Sequence, residues 1–517
     1  MNVLFIYPNF NSPYGINYGL ASISSVLKAN GHNCKLMHLV HNIDNDLILH
    51  NIYKTIDEFN PDLIGFSVLT HQYSWSLKIG KAIKSRYSIP LIVGGVHCIM
   101  EGETVAGDRI WDYVCVGEGE FALLELLSRL EKGLCTESIS NMLIWSNDEL
   151  IRNKISHITD LNALPNPDYE LFDLKSFLSS QNGWMRLMIS RGCPNRCSYC
   201  LSNKIISHYV KERAIKNGND FLRFHSIPMV IDNIRYLKEK FPEIKTLNFD
   251  DDLFTLNKEF VIQFAKQYRK SGIGLPYVIN AHVQFFDNEI AKYLKDSGCT
   301  IVRFGIESGS EELRRRVLRR FMSNEDIKRA FDAAKNANLH TSAFLMIGIP
   351  HETVSNIFDT INLCAAIKMG RFRWSYLYPY YGTEIYETAY DAGIINKNAI
   401  DNTFNYFDNS CFNFGKEHNL LLQKLGKAFN WYVNAASGWQ CSYKYKKLVS
   451  WLSEMDWDSW LKNKNCIKEI DMETSDFLMR REVPHYRIHY SNVMGVNSEY
   501  IRKEAEASLS NVILNAA

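Results

Sequence analysis

The sequence predicts an α/β fold in two consecutive series, closed by a mostly helical C-terminal segment. Three observations carry that prediction. Short apolar runs alternate with amphipathic stretches over the first 140 residues, the alternation resumes at 186–190, and beyond about 395 it gives way to aromatic-rich helical patterns. Apolar runs separated by helices mark a parallel sheet covered on both faces. A chain of 517 residues is long enough for about three domains.

The strands of the first series are "VLFIYP" (3–8), "CKLMHL" (34–39), "DLIGFSV" (62–68), "PLIVGG" (90–95) and "YVCVG" (113–117). Between the third and fourth, "YSWSLKIGKAIKSRY" (73–87) sets Trp75, Ile79, Ala82 and Ile83 on one helical face. A hairpin is expected around Asn147-Asp148. The stretch 157–173, with two prolines close together, reads as an extended linker. The second series has strands at 186–190, 245–249, 276–282, 300–308, 340–349 and 371–380, with Ser323 as the N-cap of a helix over 324–339. Six such strands make a partial α/β barrel, whose chemistry belongs at the C-terminal strand edge.

A formal net charge of +1 leaves no basic surplus to neutralise phosphates, which argues against a nucleic-acid partner. The start of the chain shows no charged segment or cleavage site of a secretory signal, and the longest apolar runs are strand-sized. A cytoplasmic location without a membrane span is therefore expected, and the 12 cysteines read as free thiols outside one cluster.

That cluster is "SRGCPNRCSYC" (190–200), with Cys193, Cys197 and Cys200 directly after the first strand of the second series. A structural zinc site normally takes four ligands, commonly as two close pairs, and no fourth ligand is evident. A disulfide framework does not suit the compartment. The third reading is an iron–sulfur cluster held by three thiolates, with one iron left open to a small molecule.

The C-x-x-x-C-x-x-C spacing, with an aromatic before the last cysteine, resembles the radical S-adenosylmethionine (SAM) superfamily. The resemblance implies a [4Fe-4S] cluster on Cys193, Cys197 and Cys200 whose open iron chelates SAM and whose electron cleaves it to a 5′-deoxyadenosyl radical. Downstream stretches match as well. In "NFDDDLF" (248–254), Asp250 and Asp251 fall where such enzymes meet the methionine amino end. Glu307 in "RFGIESGSEEL" falls at the ribose position. Ile347, Gly348 and Pro350 of "MIGIP" resemble the strand-five motif that lines the adenine, as Tyr199 does by its backbone. The arginine-rich "LRRRVLRRF" (313–321) offers a guanidinium fork for the methionine carboxylate, with no single arginine distinguished.

The first series lacks G-x-G-x-x-G after its first strand, which disfavours a dinucleotide. Its layout resembles the cobalamin-binding domain found before many radical SAM domains. That resemblance implies cobalamin contacts from Ser67, Leu69, Thr70 and His71 after strand three, Gly94 and Gly95 after strand four, and Gly117, Glu118 and Gly119 after strand five. One departure stands out: the loop after strand one, "YPNFNSPYGINYG", lacks the Asp-x-His-x-x-Gly whose histidine binds cobalt from below.

The expected architecture is a Rossmann-like cobalamin-binding domain (1–140), a hairpin and linker (141–183), a partial (β/α)6 radical SAM barrel (184–392) and a helical, substrate-related C-terminal cap (393–517). The unligated lower face of cobalt resembles the class B radical methylases, which implies methylation of an unactivated carbon or a phosphinate phosphorus of a small molecule through methylcobalamin, with flavodoxin or ferredoxin as electron donor. A non-methylating cyclase or rearranging enzyme is the alternative, and a non-catalytic cobalamin or iron–sulfur sensor a further one. Substrate contacts are expected from the C-terminal residues, including the aromatic stretch 371–381 and the tail around Trp431 and Trp439.

Overall fold

The computed structural model describes residues 1–10, 14–40, 45–156, 158–395, 407, 409–490 and 493–506. Residues 11–13 of the loop after strand one and part of the expected linker (157) lie outside the described residues. The chain divides into two compact units, Met1–Pro194 with Ser202–Glu243, and Asn195–Leu201 with Ile244–Ala517.

The first unit carries a sheet of β1 (Asn2–Pro8), β2 (Asn33–Leu39), β3 (Leu63–Ser67), β4 (Leu91–Gly94), β5 (Tyr113–Cys115), β6 (Met142–Ser146) and β7 (Glu149–Arg152), in the order β2-β1-β3-β4-β5-β6-β7. β1 to β5 are parallel; β6 and β7 run antiparallel. β1 shows why the sheet is covered twice. Leu4 and Ile6 join a core with the helices Asn45–Phe59 and Thr70–Lys84, while Val3, Phe5 and Tyr7 join another with Tyr18–Ala29 and Glu120–Glu131. The strand order reverses between β1 and β3, the switch point at which open α/β sheets bind ligands. Asn147 and Asp148 both have positive φ (47° and 63°), the backbone of a type I′ hairpin turn.

The segment expected as one strand at 186–190 is two. β8 (Trp184–Leu187) ends, and β9 (Ser190–Arg191) pairs antiparallel with β10 (Arg223–Phe224). The expected linker is not free chain either: it forms short turns at Leu161–Ala163 and Tyr169–Leu171, and Leu161 and Leu164 pack with Val26.

The second unit sets β11 (Thr246–Phe249), β12 (Tyr277–Ala281), β13 (Cys299–Glu307), β14 (His340–Ile347) and β15 (Arg371–Tyr376) side by side, parallel and in sequence order. Helices Lys258–Lys270, Asn288–Asp296, Asn324–Asn336 and Val354–Ile367 connect them, and Ser323 caps the third by accepting from the Asp326 N–H. All five strands therefore end at one edge, as in a barrel. Side chains alternate across β15. Phe372, Trp374 and Tyr376 pack toward the helix Lys416–Ala436, with Trp374 Nε1 donating to Gly426 O (3.1 Å) and Tyr376 OH to Leu422 O (2.8 Å).

The tail is helical, as its pattern predicts, with one addition. β16 (Tyr486–His489) and β17 (Met494–Asn497) form an antiparallel pair, and β17 extends the sheet at β15. The tail's tryptophans pack within the protein. Trp431 is fully buried and donates to Asp471 Oδ1 (2.7 Å), and Trp439 packs on the Tyr486 ring (5.2 Å). Trp431 is thus part of the core.

Candidate functional site

The ends of β1, β3, β4 and β5 in the first unit enclose a cavity of about 160 Å³. Phe5, Leu20, Ile23, Phe66, Ile92 and Leu123 give it apolar walls, and Ser67, Gly94, Gly95, Gly117, Glu118 and Gly119 its rim. A cavity of roughly 150 Å³ accepts a benzene ring, so this one suits a flat heteroaromatic base. Of the residues expected at cobalamin, these six line the cavity together, while Leu69, Thr70 and His71 are not among its lining. Leu69 is exposed, and burial pulls the His71 imidazole below its ordinary value, favouring the neutral ring.

Packing within the protein explains much of this rim. Gly95 has φ +99°, and a Cβ there would lie 2.7 Å from both Val68 N and Val68 O. The glycine is thus required by the close approach of the loops after β3 and β4. Ser67 Oγ accepts from Asn17 Nδ2 (3.1 Å), and the same Asn17 caps the helix Tyr18–Ala29.

Glu118 is held by arginines. It makes a two-point contact with Arg223 (2.7 and 3.1 Å), accepts from the Thr159 N–H (2.7 Å) and receives Arg191 (3.4 Å). Burial opposes its charge, yet the Arg223 and Arg191 guanidiniums hold its carboxyl below the ordinary range. Arg191 and Glu120, neither anticipated from the sequence, complete this wall at 2.5 Å from each other.

The chain passes from one unit to the other inside the cysteine loop, Cys193 belonging to the first and Cys197 and Cys200 to the second. In the second unit the loop is pinned at Ser198, whose N–H donates to Leu318 O (3.1 Å) and whose Oγ donates to Val317 O (2.6 Å). Among the described residues no three His, Cys, Asp or Glu side chains stand as a metal-holding group. The fit to an iron–sulfur cluster rests on the donor set: three soft thiols on one short loop suit iron–sulfur ligation.

Beside Cys197 lies a half-buried group of opposite charges. Arg320 Nη1 donates to Cys197 Sγ (3.7 Å) and to Tyr199 OH (3.3 Å), and Nη2 donates to Gly305 O (2.6 Å). Tyr199 in turn hydrogen-bonds the Glu307 carboxylate. Burial pushes the Glu307 carboxyl up, and the Arg320 guanidinium offsets part of that rise. Glu307 has φ +66°, the left-handed region that costs a non-glycine residue about 1–2 kcal/mol, and such strain collects at functional sites. Of the arginines in 313–321, Arg320 is the one that reaches Cys197 and Tyr199. Arg314, by contrast, is buried in a structural role, tying Ser308 O to Met322 O.

The remaining expected residues lie at strand ends of the same unit. Asp250 Oδ1 accepts from Asn248 Nδ2 (2.9 Å), and Asp251 is fully buried with its carbonyl accepting from Asn280 Nδ2 (3.2 Å). After β14, Ile347 and Pro350 are buried, and the Gly348 and Ile349 N–H groups donate to Glu352 Oε2 (2.7 and 3.3 Å). Burial lifts the Glu352 carboxyl to about 8. Its only sequence signal is a glutamate two positions after Pro350.

Two family profiles match the chain: the B12 binding domain over residues 13–127 and the Radical SAM superfamily over residues 187–364. An uncharacterized methyltransferase of Pyrococcus horikoshii is 27% identical over 400 residues, 75% of this chain and 83% of the relative. An anaerobic magnesium-protoporphyrin IX monomethyl ester cyclase of Rubrivivax gelatinosus is 22% identical over 411 residues, 76% of this chain and 70% of its own. Among solved structures, the radical SAM methyltransferase TsrM of Kitasatospora setae, with cobalamin and a [4Fe-4S] cluster bound, has a TM-score of 0.63 at 17% identity, covering 76% of this chain and 75% of that one. That likeness is one of fold.

Proposed function

We propose, for a chain that belongs to the radical SAM enzymes with an N-terminal B12-binding domain, methyl transfer to an unactivated carbon or a phosphinate phosphorus of a small molecule. The observation that carries the reading is one chain joining a base-sized cavity at a sheet switch point to a three-cysteine loop whose Cys197 is hydrogen-bonded by a half-buried arginine. The methyltransferase relative supports it.

When bound, the [4Fe-4S] cluster supplies the electron that cleaves SAM, and cobalamin supplies the methyl carrier. The chain's own residues do the rest. Cys193, Cys197 and Cys200 hold the cluster. Arg320 offers a fork to the SAM carboxylate, Glu307 accepts from the ribose hydroxyls, and Asp250 and Asp251 accept from the ammonium. The backbone after β14, fixed by Glu352, lines the adenine with Ile347, Gly348 and Pro350, and the Tyr199 backbone faces it. Ser67, Gly94, Gly95, Gly117, Glu118 and Gly119 would border the cobalamin tail, and Leu69, Thr70 and His71 on the loop after β3 would add further contacts to the cofactor. Flavodoxin or ferredoxin serves as reductant. Among the described residues no helix is long and apolar enough to cross a membrane.

The test is anaerobic turnover with cobalamin, a low-potential reductant and methyl-labelled SAM. Cobalamin-dependent formation of S-adenosylhomocysteine together with 5′-deoxyadenosine is expected. The cyclase relative favours a second reading, ring closure or rearrangement. 5′-Deoxyadenosine alone, despite bound cobalamin, would select it.

A further inference from the structure

We propose that Arg191 is a positioning residue that couples the cobalamin cavity to the first cluster cysteine, so that filling the cavity and retaining the cluster favour one another. The inference rests on the cofactor assignment above.

The argument begins with a conflict of like charges. In the antiparallel pair β9–β10, Arg191 stands directly opposite Arg223, an arrangement that destabilises a sheet unless the charges are neutralised. Two carboxylates from the turn after β5 do so. Glu118 binds both guanidiniums, and Glu120 takes Arg191 at 2.5 Å. Ser22 ties the group to the neighbouring helix by donating to Glu120 Oε1 (2.7 Å) and accepting from Arg191 Nη2 (3.0 Å). The pair β9–β10 and the β5 turn therefore hold each other in place. Removing either partner leaves a poorly solvated charge without its counterion.

Both ends of this contact have a functional neighbour. Gly117, Glu118, Gly119, Glu120 and Arg191 are themselves wall of the cavity. On the other side, one residue separates Arg191 from Cys193. That residue, Gly192, has φ +94°, and a Cβ on it would sit 2.5 Å from the Phe221 carbonyl oxygen. Pressed against Phe221, Gly192 has little slack to absorb a shift of Arg191, so displacement at the cavity wall passes to Cys193. The returning flank is fastened at the same turn: Tyr209 is buried in the first unit's core and hydrogen-bonds the Glu118 backbone.

A coupling free energy is reciprocal and is measured as an affinity ratio. Hydroxocobalamin is titrated by absorbance into anaerobically reconstituted protein and into the same protein stripped of iron. Cobalamin should bind the cluster-loaded form about 5-fold or more tighter, and should raise by the same factor the free-chelator concentration that strips half the iron at equilibrium. Arg191→Gln, and Arg191→Lys, which lacks the fork, should bring the ratio close to one while cobalamin and iron still bind. Ser22→Ala, which removes only the bridging hydroxyl, should lower the ratio part of the way and serves if the arginine variants do not fold. Equal affinities in the wild type, or a wild-type ratio retained by the folded variants, would overturn the coupling and leave the cofactor assignment standing. Failure of the wild type to take up cobalamin or iron at all would overturn both.

Discussion

The cavity of the first unit and the Arg320 group of the second use the chain in opposite ways. Around the cavity, apolar side chains and backbone make the shape, and the charges stand at its rim, already neutralised by each other. Around Arg320 the charges themselves make the site, with an arginine, a tyrosine, a glutamate and a thiol within one hydrogen-bonded set. A shape made by close packing is lost with its space, as when a Cβ is added at Gly95. A group of charges is lost with its partners, because removing one member leaves another without its counterion.

Four substitutions break or sharpen that contrast. The largest effect is expected from Cys197→Ala, which removes a thiolate and the acceptor of Arg320; iron content after anaerobic reconstitution should fall to background, with SAM cleavage lost. A variant that keeps a full iron complement would remove Cys197 from the ligand set. Next comes Arg320→Met, which strands Glu307 and should cost about 3 kcal/mol in urea unfolding together with SAM affinity. Unchanged stability would mean that Glu307 does not depend on the guanidinium. In the first unit, Gly95→Ala should cost about 2 kcal/mol through its positive φ and the Val68 backbone and should weaken cobalamin binding. The same substitution without effect would show the rim to be looser than its geometry.

The most gradual effect, small over any one pH unit, is the pH dependence set by Glu352. Its folded carboxyl is raised to about 8 by burial, above the unfolded value. The native state therefore binds more protons than the unfolded state, and stability is full at acid pH and falls as pH climbs toward 8, by on the order of 1 kcal/mol per unit. Glu352→Gln should flatten that slope between about pH 5 and 8. A slope unaltered in the variant would assign it to other groups.

What could be read from the sequence divides along covalent distance. The strands of both series, the Asn147-Asp148 turn and the Cys193–Cys200 spacing are local patterns, and their residues stand close in the chain. Fold class and the motif-bearing loops follow from them. Arg191, Arg320 and Glu352 could not be picked out, because each matters through partners far along the chain. Arg191 meets Glu118, Arg320 meets Tyr199, and five arginines between 314 and 320 look alike until burial separates them. The β9–β10 pair was hidden for the same reason: two-residue strands carry no periodicity, and ion pairs hold this one in place. Trp431 shows the converse. An aromatic-rich stretch looks like a binding surface, yet the ring was needed to fill a core with Asp471 beneath it.

The pairing of β17 with β15 also bears on how the chain is made. β15 leaves the ribosome well before its antiparallel neighbour, and at about 5–20 residues per second the wait is on the order of ten seconds. Through that interval the β15 edge presents unpaired N–H and C=O groups, the feature that draws nascent chains into aggregates. Ribosome-bound chains halted before Met494 should therefore be the chaperone-dependent species, and release past Asn497 should be the step at which protease resistance of the second unit appears.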